Sequence, residues 1–446
     1  MVPFGKPMRE AHFGFADSYV PLNHGSFGTF PNAVREYQRR LQGETEARPD
    51  TFIRFTYPKL LLQARQAIAP LLGADAEEVV FVPNALTGIN TVLRNLTYVE
   101  GDVILYFSTI YGGCLKTVLS LEETTPVRGY CIDVLYPIED DEILNKVKVA
   151  LAAIQQQGRR VVLALFDTVL TFPGVRFPWE SLVQLYKQHG ILTCIDAAHG
   201  IGNIGLAHLA DVGPDFVISN CYKWLMVPRG CAVLYVPKRN QHLIKTTYPT
   251  DGRYLSQADR KSIPSTKYFG DLFEHVSTID TSPYLCVLEA LKFRNEVCGG
   301  EEQIRTYCIG LAKQGGELMA MLMSTEVLKS KTGTQQECCF TNVKLPLSVV
   351  KDRSVGGAPA VRGILPGDAQ DVAYWITERS VNEFDTYLAV RYYNDGFWVR
   401  LSGQVYLDRS DFAWAAGVLL ELSARAERGD WKSGTSILPD SRVDYR

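Results

Sequence analysis

Short apolar runs alternate with amphipathic segments along the first half of the chain. The runs have the length of buried strands, and the amphipathic segments repeat their apolar positions every three or four residues, as helices do. Such alternation predicts an α/β fold with a mainly parallel sheet and helices on both faces. Strands are predicted at residues 78–82, 102–107, 127–135, 160–167, 191–196, 216–219 and 231–236, and helices at 34–41, 57–72, 85–95, 112–121, 140–157 and 179–189.

The second half of the chain has a different pattern. Residues 248–280 form a polar stretch with little periodicity, too long for an ordinary connection, which predicts a functional or contact-forming loop. We expect residues 1–50 to be an arm that contributes to a small domain, 51–290 a large domain and 291–446 a smaller α+β domain. Helices are predicted at 281–297, 301–323 and 410–425, strands at 338–344, 387–393 and 397–401, a mobile insertion at 352–368 and a disordered tail from 429.

Two neighbouring strands of the predicted sheet end on reactive groups. Asp196 closes one strand, and Lys223 follows the next one, between Tyr222 and Trp224. Open α/β sheets build their sites at the carboxyl ends of their strands. A lysine there can form an imine with the aldehyde of pyridoxal 5′-phosphate (PLP), and an aspartate can keep the pyridine nitrogen protonated. Taken singly, a strand-end lysine in water and a helix-capping aspartate are equally good explanations, but together the two residues favour a PLP site.

Other polar residues follow further strands. Thr87 and the backbone N–H groups of Ala85 and Leu86 open a helix and can hold a phosphate, although a plain helix cap explains them too. Tyr111 can stack on the pyridine ring or lie in the core. Arg400 lies inside a strand, where a guanidinium binds a ligand carboxylate or forms an internal ion pair. Weaker substrate-side candidates are Asn23, His24 and Arg54.

A glycine run offers a competing interpretation. Gly200, Gly202 and Gly205 have the spacing of the dinucleotide-binding fingerprint and follow a predicted strand. Only nine residues, 206 to 214, separate the run from the next strand, too few for a pyrophosphate-binding helix with its connections. An oxidoreductase that uses NAD is therefore the weaker alternative.

Composition narrows the partners. The chain has 446 residues, of which 46% are hydrophobic and 21% charged, and a formal net charge of −3. This balance and the lack of lysine- or arginine-rich runs argue against nucleic acid. No apolar stretch is long enough for a membrane-spanning helix, so a small-molecule substrate and a cytoplasmic location are expected. The ten cysteines lack paired C-x-x-C spacing, which favours buried free thiols over a metal site.

Taken together, these residues resemble the class V aminotransferase family of fold-type I PLP enzymes. The resemblance runs from residues 22–28 through 196–199 and 219–224 to 400–402. Segments 104–112, 173–178 and 229–235 are similar to its fungal isopenicillin N epimerase-like branch, which includes ergothioneine carbon–sulfur lyases and the loline alkaloid cyclase. The resemblance implies a large mainly parallel-sheet domain, a smaller α+β domain and a homodimer with shared active sites.

The resemblance also implies a role for each candidate residue. Lys223 is expected to hold the cofactor and act as base at Cα, with Tyr111 over the ring and Arg400 on the substrate carboxylate. Tyr222 replaces a common histidine beside the lysine, and Ser277 replaces a glycine. The other residues expected at the cofactor are Asp196, His199, Ala85, Leu86, Thr87, Thr168, Ser219 and, from the other subunit, Thr278.

The implied reaction joins an amino acid to PLP and removes the Cα proton. A Mannich-type cyclisation or an elimination then follows, in fungal secondary metabolism of the loline type. Residues 170–172 are more apolar than usual for the family, which favours an unusual substrate. The alternatives are an ergothioneine-pathway carbon–sulfur lyase, an amino-acid epimerase, an NAD-dependent oxidoreductase and a non-catalytic scaffold.

Overall fold

Two β-sheets organise the protein, whose computed structural model describes residues 2–350 and 363–432. The larger sheet has the strand order β1-β7-β6-β5-β4-β2-β3 and the smaller one the order β8-β10-β9. The strands are β1 Val79–Val82, β2 Asp102–Phe107, β3 Arg128–Ile132, β4 Arg160–Asp167, β5 Leu192–Asp196, β6 Phe216–Asn220, β7 Ala232–Tyr235, β8 Phe340–Lys344, β9 Ala389–Tyr393 and β10 Gly396–Ser402.

Most of the larger sheet is parallel. Strands β3, β2, β4, β5 and β6 pair in parallel, whereas β7 runs antiparallel to both β6 and β1. Alternate residues of β1 belong to two separate apolar clusters, with Val79 and Phe81 in one and Val80 and Val82 in the other. Because both faces of this strand are buried, helices must cover both sides of the sheet. The predicted mainly parallel α/β architecture is confirmed.

Helices occupy most of the remaining described chain. Those that follow β1 and β2 pack on one face of the larger sheet, and those before β4 and β5 pack on the other. The α-helices are α1 Lys6–His12, α2 His24–Phe27, α3 Asn32–Ala47, α4 Pro49–Thr51, α5 Tyr57–Ile68, α6 Ala85–Asn95, α7 Gly112–Thr124, α8 Asp140–Gln156, α9 Trp179–Gln188, α10 Leu209–Val212, α11 Cys221–Trp224, α12 Gln257–Arg260, α13 Ser265–Glu274, α14 Ser282–Leu285, α15 Val287–Glu296, α16 Glu301–Met323, α17 Ala369–Phe384 and α18 Arg409–Arg428.

Three segments differ from the predicted elements. The polar stretch 248–280 contains α12 and α13, and α13 buries Phe269 and Leu272 on a face too short to stand out among polar neighbours. Helix α17 is absent from the prediction, although its buried Val372 and Ile376 lie four residues apart. The single helix predicted over 281–297 is divided at Cys286 into α14 and α15.

Some predictions lie partly outside the described residues. The predicted insertion at 352–368 and the tail from 429 are described only for residues 363–368 and 429–432. The proposed domain boundaries stay a prediction. Within the ranges 2–350 and 363–432, no helix has both the length and the apolar character needed to cross a membrane.

The glycine run after β5 has a packing role. The helix that follows it, α10, has four residues, too few to present a pyrophosphate-binding N-terminus. Gly202 has φ +79°, and a Cβ there would lie 2.6 Å from the backbone oxygen of Trp224. The run therefore allows close contact with the segment that carries Lys223, and the geometry gives no support to the dinucleotide alternative.

Gly28 makes a still closer contact with the same segment and gives a stability prediction. Its φ is +63°, and a Cβ there would lie 1.8 Å from the carbonyl oxygen of Tyr222. Gly28→Ala is expected to lower the free energy of unfolding by on the order of 2–4 kcal/mol, because strain and overlap add. Gly43→Ala is the control: Gly43 lies in α3, and a Cβ added there would have open space for 4 Å around it.

The control variant is expected to raise the free energy of unfolding by about 0.5–1 kcal/mol, since alanine favours a helix over glycine. Both values are measured by chemical denaturation. Equal stability of Gly28→Ala and the wild type would contradict the close approach of residue 28 to residue 222.

Candidate active site

Three neighbouring strands bring Asp167, Asp196 and Lys223 to one edge of the larger sheet. Asp167 is the last residue of β4 and Asp196 the last of β5, and the two are register partners. Residues that pair in adjacent parallel strands project to the same face, so both carboxylates lie on one side of the sheet. Lys223 lies in α11, directly after β6, which pairs with β5.

Lys223 lies in a setting that favours its neutral amine. Its Nζ is 3.0 Å from Nε2 of His199. Burial lowers the pKa of Lys223 to about 8, against the attraction of Asp196 and Asp167 and with the repulsion of Arg400. Near neutral pH the unprotonated fraction of this lysine is therefore much larger than that of an exposed lysine, as suits a nucleophile or base.

Asp196 is a buried carboxylate held by two donors. Its Oδ1 accepts from the N–H of Ala198 at 2.9 Å, and its Oδ2 accepts from the thiol of Cys114 at 3.3 Å. Burial raises the pKa of Asp196, and burial together with the charge of Asp196 raises the pKa of Asp167. A positive charge next to Asp196 would favour its ionised form over the protonated form that burial favours, and a protonated pyridine nitrogen would supply that charge.

His24 supports the backbone of the lysine rather than facing outward. Its Nε2 lies 2.5 Å from the carbonyl oxygen of Lys223, which can only accept, so Nε2 carries the proton. Its Nδ1 then accepts from the hydroxyl of Tyr406 at 2.6 Å. Burial lowers the pKa of His24 to about 3, so the ring is neutral. On the next residue, the carbonyl of Trp224 accepts from Nη1 of Arg294 at 2.9 Å.

Arg400 is a buried guanidinium whose hydrogen-bond partners are neutral oxygens. Its Nη1 donates to the carbonyl of Thr171 at 2.5 Å, and its Nη2 donates to Oδ1 of Asn23 at 2.9 Å and to Oγ of Ser26 at 2.8 Å. The guanidinium carbon lies 4.6 Å from the ring centre of Phe340. Burial lowers the pKa of Arg400 to about 10, which still leaves it charged at neutral pH. Asn23 therefore reaches the site through Arg400.

The start of α6 forms the phosphate-side candidate. The N–H of Ala85 donates to Oδ1 of Asn220 at 2.8 Å, and the N–H of Thr87 donates to Oδ1 of Asn84 at 2.8 Å. Leu86 is exposed there. Ser219 is already bonded within the protein: its hydroxyl donates to the carbonyl of Ala197 and accepts from the N–H of Ile201 at 2.9 Å.

Two tyrosines, Tyr111 and Tyr222, lie near each other, and Tyr222 directly precedes the lysine. Tyr111 precedes α7 and, like Tyr222, is partly buried. Burial is the main cause that raises the pKa of Tyr222 to about 12, and the charge of Tyr111 adds to it. The Tyr222 hydroxyl is therefore protonated at neutral pH, and it can donate a proton but not accept one as a base.

Three predicted residues lie away from the lysine or face inward. Arg54 lies in the π-helical turn Phe52–Thr56, where its largely exposed side chain pairs with Asp50 at 3.2 Å. Thr278 is exposed in the segment before α14. The hydroxyl of Thr168 is buried and has no hydrogen-bond partner among the described residues, and the N–H of Thr168 donates to the carbonyl of Asp196 at 3.2 Å.

The amino-acid sequence matches the family model described as aminotransferase class-V over residues 33–340. The chain belongs to this family. It is 35% identical over 435 residues to the L-cysteine desulfhydrase-like protein lolT1 of Epichloe uncinata, covering 94% of this chain and 95% of that protein. It is 31% identical over 417 residues to the hercynylcysteine sulfoxide lyase of Schizosaccharomyces pombe, covering 93% of this chain and 97% of the relative.

Solved structures agree with this class V assignment. A C-DES mutant with glycine covalently linked to its PLP cofactor has a TM-score of 0.68 at 17% identity, covering 93% of this chain and 98% of that one. The fold is accordingly that of the fold-type I PLP enzymes, and the cofactor of this class V enzyme is PLP. Its own residues fit that group, because a neutral-prone lysine and an aspartate without a cationic ion-pair partner meet at one sheet edge.

Several residues of this class V site were missed by sequence reasoning. Asp167 ends its strand in the same way as Asp196, so the same signal could have found it. The hydroxyl of Thr171 lies 3.5 Å from Nε2 of His199, although the surrounding segment is apolar in sequence. Leu170 of that segment is buried in the core. Phe340 lies on β8, next to β10 with Arg400 in the smaller sheet, and no local sequence pattern predicts this strand pairing or the contact with Arg400.

The raised pKa of Asp167 predicts how the stability of the cofactor-free protein depends on pH. Below the pKa of an unfolded aspartate the side chain is protonated in both states, and its contribution to stability is fully present. As the pH rises toward the folded pKa, that contribution is lost, because ionisation is favoured in the unfolded state. Asp167→Asn is therefore expected to flatten the fall in the free energy of unfolding between pH 5 and pH 8.

Asp102→Asn is the control for this measurement. Asp102 is also buried, but it accepts from Nε of Arg160 at 2.7 Å and from the N–H of Val99 at 2.9 Å. Asp102→Asn is expected to lower the free energy of unfolding by about 1–3 kcal/mol, because these hydrogen bonds are weakened or lost. Denaturant titrations across the pH range give both results, and an unaltered slope in Asp167→Asn would mean that Asp167 is ionised in the folded protein.

Proposed function

We propose that this class V enzyme binds an α-amino acid through Arg400, removes its Cα proton with Lys223, and completes a Mannich-type cyclisation or an elimination in fungal secondary metabolism, as in loline-like alkaloid biosynthesis. The similarity to the lolT1 protein along nearly the full length of both chains supports this choice. A homodimer with shared active sites belongs to the same proposal.

One residue, Thr171, carries the amino-acid part of the proposal. Its carbonyl accepts from Arg400 at 2.5 Å, and its hydroxyl lies 3.5 Å from Nε2 of His199, which is 3.0 Å from Nζ of Lys223. Thr171 and His199 thus connect two groups: the Arg400 guanidinium, which can bind a carboxylate, and the Lys223 amine, whose neutral form burial favours. An α-amino acid has its carboxylate on the carbon that loses the proton, and so it fits both ends at once.

Each of the chain's own residues at the site has a separate role in the proposed reaction. Arg400 binds the substrate carboxylate in place of its present contacts with Asn23 and Ser26. Lys223 accepts the Cα proton, and Tyr222 or Tyr111 donates a proton on the other side. PLP, when bound, supplies an aldehyde and an electron-accepting pyridine ring. Asp196 holds the positive charge of that ring.

The phosphate is expected at the start of α6, near the Leu86 N–H and the Thr87 hydroxyl, which would exchange its present contact with Oδ1 of Asn84 at 3.1 Å for the phosphate. Ala85 and Ser219 already have hydrogen-bond partners in the protein and would shape this end rather than contact the phosphate first. Thr278 is exposed, as a residue that reaches another subunit must be.

A carbon–sulfur lyase of the ergothioneine pathway is the second candidate. The observation that favours it is the 31% identity to the hercynylcysteine sulfoxide lyase, which the alignment covers to 97%. The burial of Leu170 in the core weakens the argument for an unusually apolar substrate site. Both candidates share the Cα deprotonation step, and so product analysis must separate them.

Products separate the possible reactions. Purified protein is incubated with candidate amino acids and sulfoxides in heavy water, and the products are identified by mass. Elimination releases the side-chain substituent, and hydrolysis of the remaining enamine by water gives an α-keto acid and ammonia. Cyclisation keeps nitrogen and skeleton in one ring, and epimerisation returns the same compound with inverted configuration. No deuterium uptake at Cα with any amino acid would contradict the proposal as a whole.

Lys223→Ala tests the role of the lysine. The variant is expected to lose borohydride trapping of PLP on the chain and to lower Cα deuterium uptake by at least about a thousandfold, because both the covalent link and the base are removed. Lys59→Ala, which changes an exposed lysine on α5, is the control and should retain both properties. Full activity in Lys223→Ala would rule out this mechanism.

Arg400→Lys tests carboxylate binding. Lysine keeps the charge but cannot make a bidentate contact, so the KM for the amino acid is expected to rise by about 10- to 100-fold. The same substitution at Arg391, on neighbouring β9, is the matched control. Comparison of the amino acid with its carboxamide adds a second measurement: the preference for the acid should shrink only in Arg400→Lys, and an undiminished preference would place the carboxylate elsewhere.

A further inference from the structure

His199 is bound at both ring nitrogens by two consecutive residues. The indole Nε1 of Trp224 donates to Nδ1 of His199 at 3.2 Å, and Nε2 of the same ring lies 3.0 Å from Nζ of Lys223. The imidazole is 1% exposed. Burial, followed by the charges of Lys223 and Arg400, lowers the pKa of His199 well below its ordinary value, and so the ring is neutral.

The two contacts determine where the single ring proton lies. An indole N–H can only donate, so Nδ1 of His199 must offer its lone pair to Trp224. A neutral imidazole carries one proton, which must then be on Nε2. Two groups lie near Nε2, Nζ of Lys223 at 3.0 Å and the hydroxyl of Thr171 at 3.5 Å. The nearer group, Nζ, accepts from Nε2–H, and only an unprotonated amine has a lone pair with which to do so.

We infer that Trp224 is a positioning residue that fixes His199 as its Nε2–H tautomer and thereby favours Lys223 as a free amine over the ammonium. The consequence for catalysis rests on the proposed role of Lys223. The tautomer itself depends only on the contacts of Trp224, His199 and Lys223.

The charges around Lys223 show why a hydrogen-bond donor beside its amine matters. The carboxylates of Asp167 and Asp196 favour the ammonium, whereas Arg400 disfavours it. A donor at Nε2 of His199 opposes the two carboxylates at the amine itself. Burial is the largest cause that lowers the pKa of Lys223, to about 8, and the donor at Nε2 acts in the same direction. The groups that face the lysine from the surrounding elements are Asp167 of β4, Asp196 of β5, Arg400 of β10, His24 of α2, His199 of the loop after β5, and the neighbouring Tyr222 with Tyr111.

The indole is held in place from several sides. Trp224 is 1% exposed, and its ring centre lies 5.1 Å from that of His24 and 5.1 Å from that of Phe340. Its carbonyl accepts from Arg294. Since Trp224 follows Lys223 directly, the same short helix delivers both the reactive amine and the donor that sets the state of its partner.

The first measurement uses the full-length wild-type chain without substitution. Nitrogen-15 histidine spectra of the cofactor-free protein report the tautomer of each ring, and loss of one signal in His199→Gln identifies His199. The Nε2–H form is expected at about pH 9 to 10, above the pKa of Lys223 of about 8, where the amine is free to accept from it. An Nδ1–H form or a protonated ring at His199 would overturn the inference.

The second measurement follows the lysine. Lys223 is labelled with limiting acetic anhydride across pH 6 to 11 and quantified against exposed Lys59 by peptide mass spectrometry. The wild-type midpoint is expected near pH 8. In Trp224→Phe the Nε2 lone pair becomes available to an ammonium, and the midpoint should rise by on the order of one pH unit.

Trp179→Phe is the matched control. Trp179 is fully buried and packs near His208, with its indole N–H unbonded, so its removal tests the loss of a buried indole alone. An unchanged midpoint in Trp224→Phe, or an equal rise in Trp179→Phe, would overturn the inference. Failure of the proposed function is a separate result, because it would appear as absent PLP trapping while the tautomer and labelling results stand.

Discussion

Lys223 and Asp196 are ionisable side chains at a sheet edge that water reaches poorly, and their opposite preferences organise the surroundings. Burial drives the amine toward its neutral form and the carboxylate toward its protonated form. The Asp196 carboxylate retains two donors, from Ala198 and Cys114, and the amine retains a histidine. A ligand with an aldehyde and a basic ring nitrogen satisfies both groups at once, which explains why the fold can keep them there without direct neutralisation.

The support for this arrangement comes from remote backbone contacts. His24 bonds the carbonyl of Lys223, Arg294 bonds that of Trp224, and glycines at 28 and 202 let two other segments approach the same turn. These backbone contacts keep the turn in place even though charged groups near it repel one another. The position of the amine is thus determined by packing rather than by its own electrostatics, as preorganised sites require.

Much of the fold follows from local pattern. Strands β2 and β4 and helices α6 and α16 have the predicted bounds, because each combines a clean apolar period with end signals. Helices α13 and α17 were missed because their buried faces are short and polar residues surround them. The pairing of Lys223 with Asp196 was foreseeable from strand ends. The contacts of Thr171, Phe340 and Tyr406 were not, because they join segments that are distant in the sequence and depend on tertiary packing.

The His24 contact joins three distant parts of the chain. His24 lies near the amino terminus, Lys223 near the middle and Tyr406 among the last residues of the described structure, yet a single imidazole bonds both of the others. During synthesis the phenol of Tyr406 emerges long after the lysine. The turn that bears the reactive amine therefore stays incompletely supported until the segment after β10 has been made, which ties maturation of the site to synthesis of the smaller sheet.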